Sequence, residues 1–251
     1  MSYSSVSKKI NLHGQIAIIT GGARGIGACI ARTLAREGAD VVVCDVLPSE
    51  SIVAEIERMG RRAMGICCDV TNQEQVIDLV QKTLNHFGKI DILVANAGVV
   101  DRTPFLEMSL EGWKRVTEIN LTGVFLTVQS VFRHMKERQS GKIVCIGSIA
   151  GKVGGVISAP NYIASKGGVH SFVKSVAKEG GPFGVYVNAV APGPCDTDMN
   201  ASVDFQAEKN FPLQRMGRAE DIAEAALFLV SPASNFITGQ TLNVCGGVFM
   251  E

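Results

Sequence analysis

Tyr162 and Lys166 stand four residues apart in the stretch Asn161-Tyr162-Ile163-Ala164-Ser165-Lys166. On a helix that spacing puts both side chains on one face, one turn apart. A free phenol ionises near pH ~10, too high for a base in neutral water. A neighbouring ammonium favours the phenolate and lowers that pKa, most of all where water is scarce. Such a pair can take a proton from an alcohol or return one to a ketone. Ser148 follows the apolar run Ile143-Val144-Cys145-Ile146-Gly147, which reads as a buried strand of a parallel sheet. A hydroxyl at the carboxyl end of that strand lies where open α/β sheets hold ligands, placed to hold a substrate oxygen against the phenol. Tyr-x-x-x-Lys also occurs by chance on many helices, so its meaning depends on the elements that position it.

The first of those elements is a strand over 15–20 running into Gly21-Gly22-Ala23-Arg24-Gly25-Ile26-Gly27 and then a helical pattern over 28–37, stopped by Gly38. Glycines at 21, 25 and 27 permit a tight turn and close approach of backbone to a ligand. The N-terminus of the helix that follows then faces a pyrophosphate. A strand over 40–45 ends in Asp45, where a carboxylate hydrogen-bonds the adenosine ribose and repels a 2′-phosphate. The bland alternative is that Asp45 only caps the next helix. Arg24 points the other way, toward a phosphorylated cofactor, unless it is a solvated loop residue. Asp45 carries more weight, and NAD is the expected cofactor, with NADP possible.

Further along, Asp69-Val70 follows a strand over 63–68. Asp69 either accepts from the adenine amine or, with Thr71, caps the helix over 73–87. Asn96-Ala97-Gly98 ends a strand over 90–95 and lets backbone lie close to a flat cofactor, Asn96 tying strand ends together. A long helical stretch over 109–136 carries Asn120 in its middle, a poor helix former there. It satisfies a buried water or carbonyl, or holds a water against Lys166 as a proton path; the two roles are compatible. A strand over 185–190 leads into Pro192-Gly193-Pro194-Cys195-Asp196-Thr197, a stiff turn at the same sheet edge. From there Thr197 reaches the nicotinamide carboxamide. The residues expected along the cofactor are Gly21, Arg24, Gly25, Ile26, Gly27, Asp45, Asp69, Val70, Asn96, Ala97, Gly98, Pro192, Gly193, Cys195 and Thr197, which Tyr162 and Lys166 join by the family resemblance of the whole set. A helix over 219–230 and a strand over 240–244 finish a strand–helix alternation without linker or repeat. This implies a single doubly wound, Rossmann-like α/β domain over 14–251 behind a polar arm over 1–13.

Composition narrows the rest. The chain has 251 residues, 46% of them hydrophobic, and no formal net charge, which gives a sizeable core and no broad basic field for nucleic acid or anionic membrane. Seven scattered cysteines, an odd number with no CxxC pair, read as reduced buried thiols. Together with four histidines lacking ligand spacing, they imply no metal site. The start lacks the apolar core of a signal peptide, and no run is long enough for a bilayer, so a cytoplasmic protein is expected.

Thr20-Gly21-x-x-x-Gly25-x-Gly27, Asp69, Asn96-Ala97-Gly98, Asn120, Ser148, Tyr162-x-x-x-Lys166 and Pro192-Gly193, taken in this order, resemble the short-chain dehydrogenase/reductase family over nearly the whole chain. The resemblance implies a seven-stranded parallel sheet and a homotetramer. It makes Tyr162 the acid/base, Ser148 the group that polarises the substrate oxygen, Lys166 the residue that lowers the tyrosine pKa and binds the nicotinamide ribose, and Asn120 the end of a proton relay. Three positions depart from the family's common pattern: Cys245 where an Asp often precedes Gly246-Gly247, Tyr186 where an Arg is frequent, and Arg24, often seen with the phosphorylated cofactor.

The expected activity is NAD-dependent interconversion of a small-molecule secondary alcohol and a ketone. The alternative is an NADP-dependent reductase of 3-oxoacyl thioesters on an acyl carrier protein; Asp196, Asp198 and Asp204 offer that acidic partner no basic docking patch. A nucleotide-sensing protein without chemistry would usually have lost the tyrosine or lysine, and both are present. Substrate shape is assigned to 149–160, with Val153, Val156 and Ile157, and to the irregular loop between Cys195 and Met216.

Overall fold

A computed structural model describes residues 10–155, 158–197 and 211–251. Val156 and Ile157 of the expected pocket, and Asp198, Met199, Val203, Asp204 and Phe205 of the irregular loop, lie outside the described residues.

Seven strands, β1 (Ile16–Thr20), β2 (Asp40–Asp45), β3 (Ala63–Cys67), β4 (Ile92–Ala95), β5 (Gly141–Ile146), β6 (Val185–Pro192) and β7 (Thr241–Val244), form one sheet in the order β3-β2-β1-β4-β5-β6-β7. Every pairing is parallel, as the strand–helix alternation requires. The helices are α1 (Gly25–Arg36), α2 (Glu50–Arg58), α3 (Gln73–Phe87), α4 (Leu110–Thr117), α5 (Gly123–Arg138), α6 (Ala150–Val153), α7 (Pro160–Gly180) and α8 (Ala219–Val230).

Continuous apolar strands are the mark of a sheet covered on both faces, and side-chain alternation divides them here. Ile16, Ile18, Val42 and Leu93 join one core with residues of α3, α5 and α7. Ala17, Ile19, Val41, Val43, Ile92 and Val94 join the other with residues of α1, α2 and α8. β3, at the sheet edge, is more open, and Cys67 on it is exposed, a correction to the expectation of buried thiols.

Between β1 and β4 the winding reverses, since β1 pairs with β2 on one side and β4 on the other. Thr20 stands opposite Ala95 in that register, so the glycine loop after β1 and Asn96 after β4 emerge together, where such folds bind ligands.

The stretch expected as one helix over 109–136 is three elements. α4 gives way at Glu118–Thr122 to a wider π turn, and α5 resumes at Gly123. The widened turn is centred on Asn120, whose side chain leaves the helix for a partner elsewhere. π turns of this kind cluster at functional sites.

Candidate functional site

The glycine loop is shaped by three different needs. Gly21 has φ +62° and also lies so near Ala97 that an added Cβ would stand 2.8 Å from its Cα. Gly25 needs only its conformation, φ +53° with open space around it. Gly27 needs only space, because a Cβ there would overlap the Gly21 carbonyl oxygen. Arg24 is the N-cap residue of α1, extended and without a side-chain cap, and it is exposed. The first amides of α1, from Gly25, Ile26 and Gly27, therefore keep their capacity for an anion.

Asp45 closes this loop. One carboxylate oxygen accepts from Ala23 N at 3.0 Å and the other from Leu47 N at 3.0 Å, while α2 starts from Ser49 as N-cap. Asp45 is not the helix cap of the bland reading. Asp69 is tied locally: Oδ1 accepts from Thr71 N and Thr71 Oγ1 at 2.9 and 2.8 Å. The cap of α3 is neither Asp69 nor Thr71 but Asn72, which accepts from Gln75 N. Val70 is buried and packs on Gly123 at the start of α5.

Asn96 ties strand ends together, its Nδ2 donating to the carbonyls of Thr20 and Gly21 at 3.0 Å each. Thr20 Oγ1 accepts from the amides of Asn96 and Ala97. Gly98 leaves room for the tips of Asn120 and Lys166, which would stand 3.2 and 3.4 Å from a Cβ there. Asn120 is fully buried. Its Oδ1 accepts from Val99 N, and its Nδ2 donates to Val99 O and Ser165 Oγ. The side chain thus serves protein partners.

Ser148 leaves the end of β5, with Oγ accepting from Ala150 N at 3.1 Å. Tyr162 and Lys166 lie in the first two turns of α7, as their spacing predicts. Lys166 is 4% exposed and donates to Ile146 O at 2.8 Å. Its Nζ is 5.9 Å from the Tyr162 ring centroid. Burial pushes the lysine down to about 8 and raises the tyrosine phenol, against which a hydrogen bond with Ser148 and the Arg102 charge act. The expected lowering of the phenol by Lys166 is therefore not produced by this arrangement: the ammonium faces Ile146 O, and desolvation of the phenolate dominates.

The proline turn sits where predicted. β6 runs on to Pro192, whose carbonyl accepts from Ile149 N, and Gly193 N donates to Val244 O. Gly193 lies against Cys245, which would meet a Cβ at 2.7 Å, and Cys245 Sγ donates to Phe249 O. Cys195 is buried and its thiol is pushed up to about 12 by burial; Thr197 is partly exposed. Tyr186, the second departure, receives the Lys142 ammonium 4.2 Å above its ring.

Sequence reasoning missed a clamp ahead of the tyrosine. Asn161, fully buried, donates to Asp101 Oδ2 at 2.7 Å and to Gly112 O at 3.1 Å, and its own oxygen accepts from Tyr162 N. Burial raises the Asp101 carboxyl, but hydrogen bonds from Asn161, Thr103 and the Arg102 backbone outweigh it and hold the group down at about 2. The polar Asn161-Tyr162 pair at a helix start was the available signal.

Among the described residues no group of three or more His, Cys, Asp or Glu is placed to hold a metal, and no helix is long and apolar enough to cross a membrane.

The sequence matches the family described as enoyl-(acyl carrier protein) reductase over residues 21–249. It is 44% identical to a 3-oxoacyl-[acyl-carrier-protein] reductase of Synechocystis sp. over 95% of this chain and 98% of the relative. It is 41% identical to the cis-4-hydroxycyclohexanecarboxylate dehydrogenase of Sinomonas cyclohexanicum over 93% and 96%. A short-chain type dehydrogenase/reductase from Mycobacterium marinum superposes with a TM-score of 0.94 at 35% identity, covering 98% of this chain and all of that one. The chain is an oxidoreductase and belongs to the short-chain dehydrogenase/reductase family.

Proposed function

We propose that this oxidoreductase interconverts a ketone and a secondary hydroxyl with NAD(H), and that a 3-oxoacyl thioester is its substrate class. The observation that carries the reaction is the convergence of Ser148, Tyr162 and Lys166 beside a glycine loop whose α1 amides are uncapped. The residues fit a dinucleotide: Gly21 and Gly27 leave a cradle that side chains would fill, and Asp45 sets a carboxylate against the loop. A 2′-phosphate would be repelled there, which supports NAD(H). When bound, the nicotinamide supplies or accepts the hydride.

Tyr162 exchanges the proton. In reduction its phenol protonates the oxygen of the former ketone; in oxidation the phenolate takes the hydroxyl proton. Ser148, hydrogen-bonded to Tyr162, donates to the same oxygen and aligns it. Lys166 binds the nicotinamide ribose and meets returning protons through Asn120, whose side-chain tip lies with its own beside Gly98.

The thioester reading is supported by relatives named for 3-oxoacyl carriers at 38–44% identity. A ring-alcohol reading is favoured by the 41% identical cyclohexanecarboxylate dehydrogenase. We also propose self-association as a homotetramer, supported by Leu106, Leu110 and Phe236, all widely exposed, and one working domain over 14–251. The test is turnover of acetoacetyl thioesters, cyclic alcohols and simple ketones with each cofactor. Thioester reduction with NADH supports the reading. Turnover of ring alcohols alone replaces the substrate, and preference for NADPH removes Asp45 as selector.

A further inference from the structure

His170 is a buried titratable side chain that the reaction above leaves without a role. It is 7% exposed and lies two turns past Tyr162 and one past Lys166, so positions 162, 166 and 170 share one face of α7. Its Nε2 accepts the main-chain N–H of Ser148 at 3.4 Å.

Backbone accounting shows why that amide needs it. Gly147 N and Ile149 N, on either side, donate to Val190 O and Pro192 O of β6 at 2.8 and 3.0 Å. Ser148 N points elsewhere, and the β4–β5 ladder has already ended at the pair Ala95–Cys145. Ser148 is buried, so without an acceptor its amide would be orphaned at the strand end. Gly147 makes the approach possible, because a Cβ there would overlap His170 Nε2. Nearby charges are Lys152 of α6, Lys166 and Lys174 of α7, and Glu251. Burial and the three lysines outweigh Glu251 and push the imidazole down to about 4, so it stays neutral at working pH with Nε2 able to accept.

We infer that His170 is a positioning residue for Ser148, fixing its backbone while Ala150 N fixes its hydroxyl, and that Gly147 and His170 form a matched pair. This rests on Ser148 being the group that aligns the substrate oxygen.

The test compares His170→Gln, His170→Asn and His170→Leu with Ser148→Ala. Glutamine carries an acceptor at about the reach of Nε2; asparagine falls one methylene short. The first readout is hydrogen exchange at the Ser148 amide, which needs no substrate. Asparagine and leucine should speed it at least about tenfold, with Gly147 and Ile149 unchanged, and glutamine should restore protection. The second is kcat for acetoacetyl-coenzyme A with NADH, expected to fall about ten- to a hundredfold in the asparagine and leucine variants at unchanged NADH affinity. Unaltered Ser148 exchange in all three variants, or equal loss in Gln and Asn variants of equal melting temperature, overturns the inference. Loss on Ser148→Ala with an unimpaired Asn variant overturns it alone, whereas full activity in Ser148→Ala overturns the reading of Ser148 as well.

Discussion

The Asp45 carboxylate accepts the Ala23 amide at 3.0 Å, so the acid at the end of β2 and the glycine loop after β1 form one unit. Replacing Asp45 with Ser should then do two things. The 2′-phosphate repulsion disappears, and the ratio of kcat/KM for NAD over NADP should fall at least tenfold. The loop also loses an anchor worth about 1 kcal/mol. Unchanged cofactor preference in steady-state kinetics would remove Asp45 from the selector role.

Tyr162→Phe deletes one oxygen and leaves the ring to pack. Turnover should drop by two decades or more, with NADH binding by fluorescence within about threefold of the parent. Retained turnover is the result that sinks the acid/base assignment.

Gly27→Ala tests the cradle rather than the chemistry. The new methyl collides with the Gly21 carbonyl oxygen, backbone that cannot swing away, and overpacking of this kind costs about 1–3 kcal/mol. Melting temperature and nucleotide affinity should fall together. Gly25→Ala meets open space and should be limited to the strain of its positive φ.

Lys166 gives a signed pH effect. Burial lowers it from 10.5 to about 8. Below pH 8 both folded and unfolded chains hold the proton, and the folded state bears the whole desolvation penalty. Between 8 and 10.5 the unfolded chain keeps a proton that the folded chain has lost, so this residue's contribution to stability rises with pH. The slope is on the order of 1.4 kcal/mol per unit, and it levels off above 10.5. Chemical denaturation of the parent and Lys166→Met across pH 7–10.5 should show the difference between them changing over that window; a constant difference contradicts the burial argument.

Asn161 joins Asp101, Gly112 and Tyr162 in one part-buried knot. Asn161→Ala should lose about 1–3 kcal/mol and also lower kcat, since the start of α7 is freed. Asn161→Asp sets a second carboxylate against Asp101, whose own lies at about 2. Its melting temperature should fall further behind the parent as pH rises from 5 to 8, when the new acid ionises.

The strand–helix alternation of a parallel fold, and the setting of Ser148 after a strand and of Tyr162 and Lys166 on one helix face, were legible because they rest on local rules. Apolar runs give strands, glycine punctuates them, and a spacing of four fixes a helix face. The helices over 73–87 and 219–230 end where expected because Asn72 and Gly88 on one, and the break at Ser231 on the other, act within a turn. Asp69 was readable only as a pair of alternatives, since Asp69, Thr71 and Asn72 are all capping types and three-dimensional hydrogen bonding chose among them. The π turn escaped because no residue type encodes it; it follows from Asn120 reaching Val99, twenty-one positions away. His170 escaped for the same reason, its partner being an amide defined by where a neighbouring strand stops.

The π turn carries one more consequence, in the arithmetic of the chain. A π turn holds an extra residue relative to an α-helix, so removing one residue within Glu118–Thr122 would let the segment run regularly from Leu110 to Arg138. Because an i→i+5 π repeat spans about the same angle as an i→i+4 α repeat, the helix faces before and after the cut would keep their alignment. Val116, fully buried on α4, and the apolar stripe of α5 would stay on the core, and what the cut removes is the bulge from which Asn120 reaches Val99. The widened turn thus takes in one more residue of sequence without turning the helix faces on either side, and that extra residue is as much a part of the site as any side chain on it.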